Sequence, residues 1–372
     1  MRALACLLPV ILLAARAAGL EVPQTLLVIE PTEEHPRNSE GDLVELRDGR
    51  LCLVYTRFRG GAEDRSAADI VARTSPDGGK TWTGDRVLVP NEGRENVMSV
   101  SLLRLRSGEV LLFYLRKNGW NDCAMYVRRS RDELATLSPP VRVTVDDGYH
   151  VVNNDRVIQL ASGRIVVPAA LHPCPDGTSR TWTAAGVPRA FLSDDDGRTW
   201  RADATRVRPP PTRRATLQEP GVLELRDGRV WMWMRTAQGS QYECFSSDRG
   251  EHWSEPQPGP LASPQSPASI ARIPWSGDLV CVWNDHSGRH VFPPGRRTPL
   301  CLAISTDDGR TWGPSRMLEG DPEGCYCYTS LTFLTDQRLV LTYCAGDRRV
   351  GGLNRLKVLA IPRQWLYLNG GR

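Results

Sequence analysis

The sequence predicts an all-β fold, a six-bladed β-propeller of four-stranded antiparallel blades, and two interleaved repeats predict it. The first repeat is an alternating apolar run, a tight turn and a second apolar run, as over residues 43–55 and again over 222–233. Its turn centres fall at Gly49, Gly108, Gly163, Gly228, Gly277 and, more degenerately, Gln337, spaced 49 to 65 residues apart. The second repeat is Ser-x-Asp-x-Gly-x-x-Trp at 75–82, 193–200, 246–253 and 305–312, with a damaged copy that keeps Ser130 and Asp132 but lacks the glycine and tryptophan.

Each copy of the first repeat reads as a β-hairpin with a glycine-bearing turn. A third strand follows, as over 69–74. The second repeat then suits the turn from third to fourth strand: Ser and Asp bond turn amides, Gly accepts positive φ, and Trp packs into the blade. Six such units argue for a propeller, whose radial closure protects its sheet edges. The last unit ends in a strand-like 356–361 with no box after it, so residues 25–30 are expected to supply its missing outer strand and close the ring. No linker-like or low-complexity segment interrupts the chain, and 19–372 reads as a single domain.

Residues 1–18 read as a signal peptide, with Arg2, a short apolar run over 4–13 and small residues before Gly19. The run is too short to span a bilayer and no later segment is a candidate, so a secreted or periplasmic protein without a membrane span is expected. Cys6 leaves with the leader, and nine cysteines remain. Cys52, Cys244, Cys281, Cys301 and Cys344 sit in apolar strand-like runs, where cysteine acts as a small buried hydrophobe. No CxxC pair exists, and His150, His172 and His286 lack ligand spacing, so a mostly free-thiol core, no metal and no cofactor are expected. Of the 47 basic residues only Lys80, Lys117 and Lys357 are lysines. The arginines are scattered and form no basic run, which argues against a nucleic-acid surface.

Topology divides the propeller into two ends. Short Asp-Gly-Arg turns and the Ser/Asp boxes occupy one; the long, varied loops gather at the other, which is expected to hold the site. There Glu219 precedes the first strand of the fourth hairpin and Arg235 closes the second, so the two should face each other. Tyr328 lies eight residues before Asp336, as Glu219 lies eight before Asp227, which places both at equivalent positions pointing toward the axis. The segment 153–156 and Asn96 lie near the same end, either to touch a ligand or, by preference, to satisfy backbone groups at blade junctions.

The boxes resemble the Asp-boxes of sialidases over essentially the whole mature chain, and the resemblance extends to single residues. Tyr328-Thr-Ser-Leu is similar to that family's nucleophile segment, Glu219-Pro-Gly-Val to its glutamate-bearing strand, and Arg235 to its second arginine. Arg297 resembles the third, with Arg296 a competitor, and Asp64 lies where the family keeps its acid/base. At the start of the first blade, where the family shows Arg-Ile-Pro, this chain has Arg37-Asn-Ser-Glu; Arg37 stands about two residues further from its turn than expected, with Arg57 or Arg59 as substitutes. The resemblance implies a retaining exo-α-sialidase acting on sialylated glycans. Tyr328, Glu219 and Asp64 would be catalytic, with Arg37, Arg235 and Arg297 gripping the substrate carboxylate. The alternatives are a non-catalytic carbohydrate-binding propeller, or an enzyme acting on another acidic sugar or by transfer or elimination.

Overall fold

The computed structural model describes residues 21–208 and 215–368; the expected leader lies outside them. Five blades run in chain order from the axis outward, each strand antiparallel to the last. The first comprises β2 (Asn38–Glu45), β3 (Leu51–Phe58), β4 (Ala68–Ser75) and β5 (Arg86–Val89). The second comprises β6 (Asn96–Arg104), β7 (Val110–Gly119), β8 (Asp122–Ser130) and β9 (Val141–Arg142).

In the third, the inner strand is split into β10 (Tyr149–Val151) and β11 (Ile158–Gln159), both paired with β12 (Ile165–His172), followed by β13 (Val187–Ser193) and β14 (Arg201–Ala202). A parallel contact between Tyr149 and Cys123 joins β10 to β8 and fuses the second and third blades into one sheet. The fourth blade is β15 (Gln218–Glu224), β16 (Val230–Arg235), β17 (Ser240–Ser246) and β18 (Gln257–Ala262). The fifth is β19 (Ser269–Arg272), β20 (Leu279–Asn284), β21 (Leu300–Ser305) and β22 (Arg316–Glu319).

The sixth blade contains β23 (Cys325–Phe333), β24 (Leu339–Gly346) and β25 (Leu356–Ile361), and its outer strand is β1 (Gln24–Ile29) from the start of the described chain. The closure expected from residues 25–30 is therefore present, shifted by one residue. A single helical turn, α1 (Arg363–Leu366), follows β25. The inner edges of the blades are tied to one another by side-chain bonds to backbone. Asn154 Nδ2 donates to the carbonyls of Gly41 and Tyr328, both at 2.9 Å, and Ser269 Oγ donates to the Thr329 carbonyl at 2.6 Å.

The Asp-box turns are built as their residues dictate. At the fifth blade the Gly309 amide donates to Ser305 Oγ at 2.9 Å, and the Thr311 amide to Asp307 Oδ1 at 2.9 Å. The damaged box keeps the same frame without its glycine: Leu134 donates its amide to Ser130 Oγ at 2.8 Å and adopts φ 66°. Leu134 is fully buried, so apolar packing offsets the strain.

At Gly309 (φ 86°) an added Cβ would also meet Trp231 at 2.8 Å, whereas at Gly49 (φ 83°) it would meet nothing. Gly309→Ala is expected to cost more than Gly49→Ala, each carrying about 1–3 kcal/mol of backbone strain. Urea denaturation reads the difference, and equal losses would mean the Trp231 contact is immaterial.

The blades pack through apolar faces such as Val54, Ile70 and Val89 against Val97, Leu112 and Tyr114. Cys52, Cys244, Cys281, Cys301 and Cys344 are buried in this core as free thiols. Among the described residues no helix is long and apolar enough to cross a membrane.

Candidate active site

An inner-strand bulge aims one side chain at the axis in several blades. The register of β2 shifts between Ser39 and Asp42, of β6 between Met98 and Ser101, of β15 between Gln218 and Gly221, and of β23 between Cys327 and Ser330. Each bulge holds a non-glycine residue at positive φ: Glu40 (52°), Ser99 (60°), Glu219 (45°) and Tyr328 (56°). Left-handed backbone is costly for such residues, and its recurrence at one level of the ring marks the site.

Glu219 and Tyr328 meet across the axis. The Tyr328 hydroxyl donates to Glu219 Oε1 at 3.1 Å, and Arg235 Nη1 lies 2.6 Å from Glu219 Oε2. In the ladder Arg235 pairs with Gln218, and the bulge swings Glu219 back onto it. Burial alone would raise the Glu219 carboxyl, but Arg235 and Arg297 outweigh it and hold the group below its ordinary value. Burial, then the Glu219 charge, pushes the Tyr328 hydroxyl well up. The resting pair is therefore a neutral phenol donating to a carboxylate. Arg297, not Arg296, lies over the Tyr328 ring, 5.3 Å from its centroid, and donates to Cys327 Sγ at 3.1 Å.

Arg37 is 2 % exposed despite its charge, and hydrogen bonds take up four of its five N–H groups. Its Nε donates to Ser39 Oγ at 2.9 Å, Nη2 to Glu40 Oε1 at 2.8 Å and Nη1 to Asp64 Oδ1 at 2.6 Å, while its guanidinium stacks 4.4 Å from the Phe58 centroid. Arg57 and Arg59 are turned elsewhere, to Asp85 and Asp69. Glu40, held also by the Ser99 hydroxyl, has its carboxyl raised by burial in spite of Arg37.

Asp64 has a side chain 63 % exposed, open to solvent. Its surroundings would raise its carboxyl by desolvation, but Arg37, with help from Lys117 and Arg297, holds it below the ordinary value. Its backbone is fixed from beneath, since Lys117 Nζ and Asn96 Nδ2 both donate to the Asp64 carbonyl at 2.9 Å. The segment 153–156 is likewise spent on backbone groups: Asp155 accepts the Leu331 amide at 2.7 Å, and Arg156 donates to the Ala268 carbonyl at 3.0 Å. Beside Asp64 stands an aromatic wall. Lys117 Nζ lies 5.2 Å from the Tyr149 ring, and Trp182 stacks on His172 at 5.1 Å.

Thus the six expected residues form two adjoining clusters, Glu219–Tyr328–Arg235–Arg297 and Arg37–Asp64, bridged where Asn154 bonds both the Gly41 and Tyr328 backbones. Sequence reasoning missed Glu40, Ser99, Lys117 and Cys327.

Comparison with known proteins agrees with this architecture. A family model described as a BNR repeat-like domain matches residues 53–341. The chain is 26 % identical over 358 residues to a sialidase of Micromonospora viridifaciens, covering 86 % of this chain and 52 % of that one. It is 23 % identical over 342 residues to a sialidase of Bacteroides fragilis, covering 81 % and 58 %. It therefore spans a little over half the length of these curated relatives. Among solved structures, the NanB sialidase of Streptococcus pneumoniae superposes with a TM-score of 0.69 at 14 % identity, covering 93 % of this chain and 71 % of that chain. With six four-stranded blades, an Asp-box frame and these relatives, the chain is a six-bladed β-propeller and belongs to the sialidase-type BNR-repeat family.

Proposed function

We propose that this protein is an exo-α-sialidase that hydrolyses terminal sialic acids with retention of configuration, working outside the cytoplasm. The observation that carries the reading is the Tyr328 hydroxyl donating to a Glu219 carboxylate that is itself anchored on Arg235.

A sialic acid bears a carboxylate on its anomeric carbon, so an anionic nucleophile would meet repulsion where a neutral phenol does not. With its hydroxyl pushed up, Tyr328 can attack only if its proton leaves as the bond forms, and Glu219 is placed and ionised to take it. Arg37, Arg235 and Arg297 hold the substrate carboxylate, a task suited to the permanent charge and paired donors of guanidinium. Asp64 protonates the departing glycan oxygen. It then deprotonates the water that displaces Tyr328, and two inversions give retention. The aromatic wall offers apolar surface to the sugar's side arms.

Asp64 must be protonated to act first, yet Arg37 keeps it ionised in the free protein. Substrate resolves this conflict: its carboxylate draws on the charge of Arg37, and the Asp64 carboxyl then rises. The acid form is lost at low pH in the free enzyme but persists to higher pH in the complex. The alkaline limb of kcat is therefore expected at higher pH than that of kcat/KM, and coincident or reversed limbs would remove Asp64 as the acid.

The direct test is hydrolysis of a fluorogenic α-sialoside with the first product's anomer followed by NMR. Turnover absent in Tyr328→Phe, with the α-anomer released first, supports the proposal. Binding without turnover above that control would make the chain a carbohydrate-binding propeller, and an anhydro or transfer product would make it a different catalyst.

A further inference from the structure

The connection between β20 and β21 carries Arg297, and its base holds a cluster unrelated to the chemistry above. Asp285 follows β20, His290 lies within the connection, and Cys301 is the second residue of β21. Each offers one ligand atom, and these atoms all lie within 4.8 Å of one another. Asp285 is 3 % exposed and Cys301 fully buried, while His290 is half-buried.

In a chain this rich in arginine, Asp285 forms no ion pair among the described residues. Its Oδ1 accepts the Ser287 amide at 2.9 Å and its Oδ2 the Ser315 hydroxyl, whose oxygen is also 3.2 Å from His290 Nε2. A buried carboxylate met only by neutral donors is electrostatically incomplete.

We propose that Asp285, His290 and Cys301 form a binding site for a divalent transition metal, zinc by ligand preference, which clamps the base of the connection bearing Arg297. Carboxylate, imidazole and thiolate are all zinc ligands, and bonds of about 2.0–2.3 Å in tetrahedral geometry set ligand atoms about 3.5 Å apart, so a set lying within 4.8 Å draws in by about 1 Å at most to hold the ion. The fourth position is open to water or to the Ser315 hydroxyl. Burial holds the His290 imidazole below its ordinary value, so it is in the neutral, ligating form. The Cys301 thiol is pushed up by burial, so binding must expel its proton to the buffer as the metal–sulfur bond forms.

The test uses the full chain, stripped with a chelator and titrated with zinc or cobalt(II). Expected are one metal per chain, about one proton released per metal by calorimetry in buffers of different ionisation enthalpy, and a thiolate charge-transfer band with cobalt. His290→Ala and the near-isosteric Cys301→Ser should each weaken binding at least about tenfold; Cys52→Ser, a buried thiol elsewhere, should not. Absence of binding, a cobalt complex lacking the thiolate band, or affinity unchanged in both site variants would overturn the proposal. These readouts do not involve a sialoside, so they stand or fall apart from the catalytic reading.

Discussion

Glu219→Gln is expected to lower kcat by about 10²–10⁴-fold, the range set by losing a positioned general base, the role proposed for Glu219. Glutamine keeps one oxygen for Arg235, and its amide can donate to the Tyr328 oxygen, so the pair stays together with that second bond reversed. What it cannot do is accept a proton. The phenol, already pushed up by burial, then has no route to phenolate at the moment of attack. Tyr328→Phe removes the nucleophile and should fall to a similar floor. The double variant should be no worse than the poorer single, because the two act as one unit. Kinetics on a fluorogenic sialoside, with urea denaturation as a fold check, measure this. Wild-type turnover in Glu219→Gln would end the base assignment.

Arg37→Met is expected to cost about 3–5 kcal/mol of stability, the penalty for stranding one partner of a buried ion pair. The stranded group is Glu40, 4 % exposed and next to the Ser99 hydroxyl. Because burial raises the Glu40 carboxyl, protonation relieves the penalty at low pH, and the loss should be largest well above its titration. Arg37→Met combined with Glu40→Gln should regain most of the stability and none of the sialoside turnover. Denaturation of the two variants at two pH values decides it. An unperturbed single variant would deny the ion pair its structural role, and a catalytically competent double variant would remove Arg37 from the substrate grip.

The repeats made the fold legible because hairpin turns and Asp-boxes are local: each residue's task is set by neighbours within a few positions. Even the closing strand followed from counting what the sixth blade lacked. The site was legible where a spacing rule linked blades, as for Glu219 and Tyr328. The same rule also reaches Glu40, eight residues before Asp48, but a buried glutamate beside Arg37 carries no signature of its own. The unexpected spacing of Arg37 has its cause in the β2 bulge, which no residue type announces. Lys117, Asn96 and Asn154 serve backbone groups brought near by closure of the ring. Asp285, His290 and Cys301 carry no ligand spacing in the sequence because the fold of the β20–β21 connection, not chain proximity, brings them together.

The pairing of β1 with β25 sets a temporal order on the molecule. During synthesis the first described strand must wait for the last before its backbone finds a partner, and the blade that waits is the one bearing Tyr328. An incomplete chain emerging from the ribosome can assemble the blade carrying Glu219 while its sixth sector is still missing. The proposed site is therefore complete only once the last described strand has joined the ring.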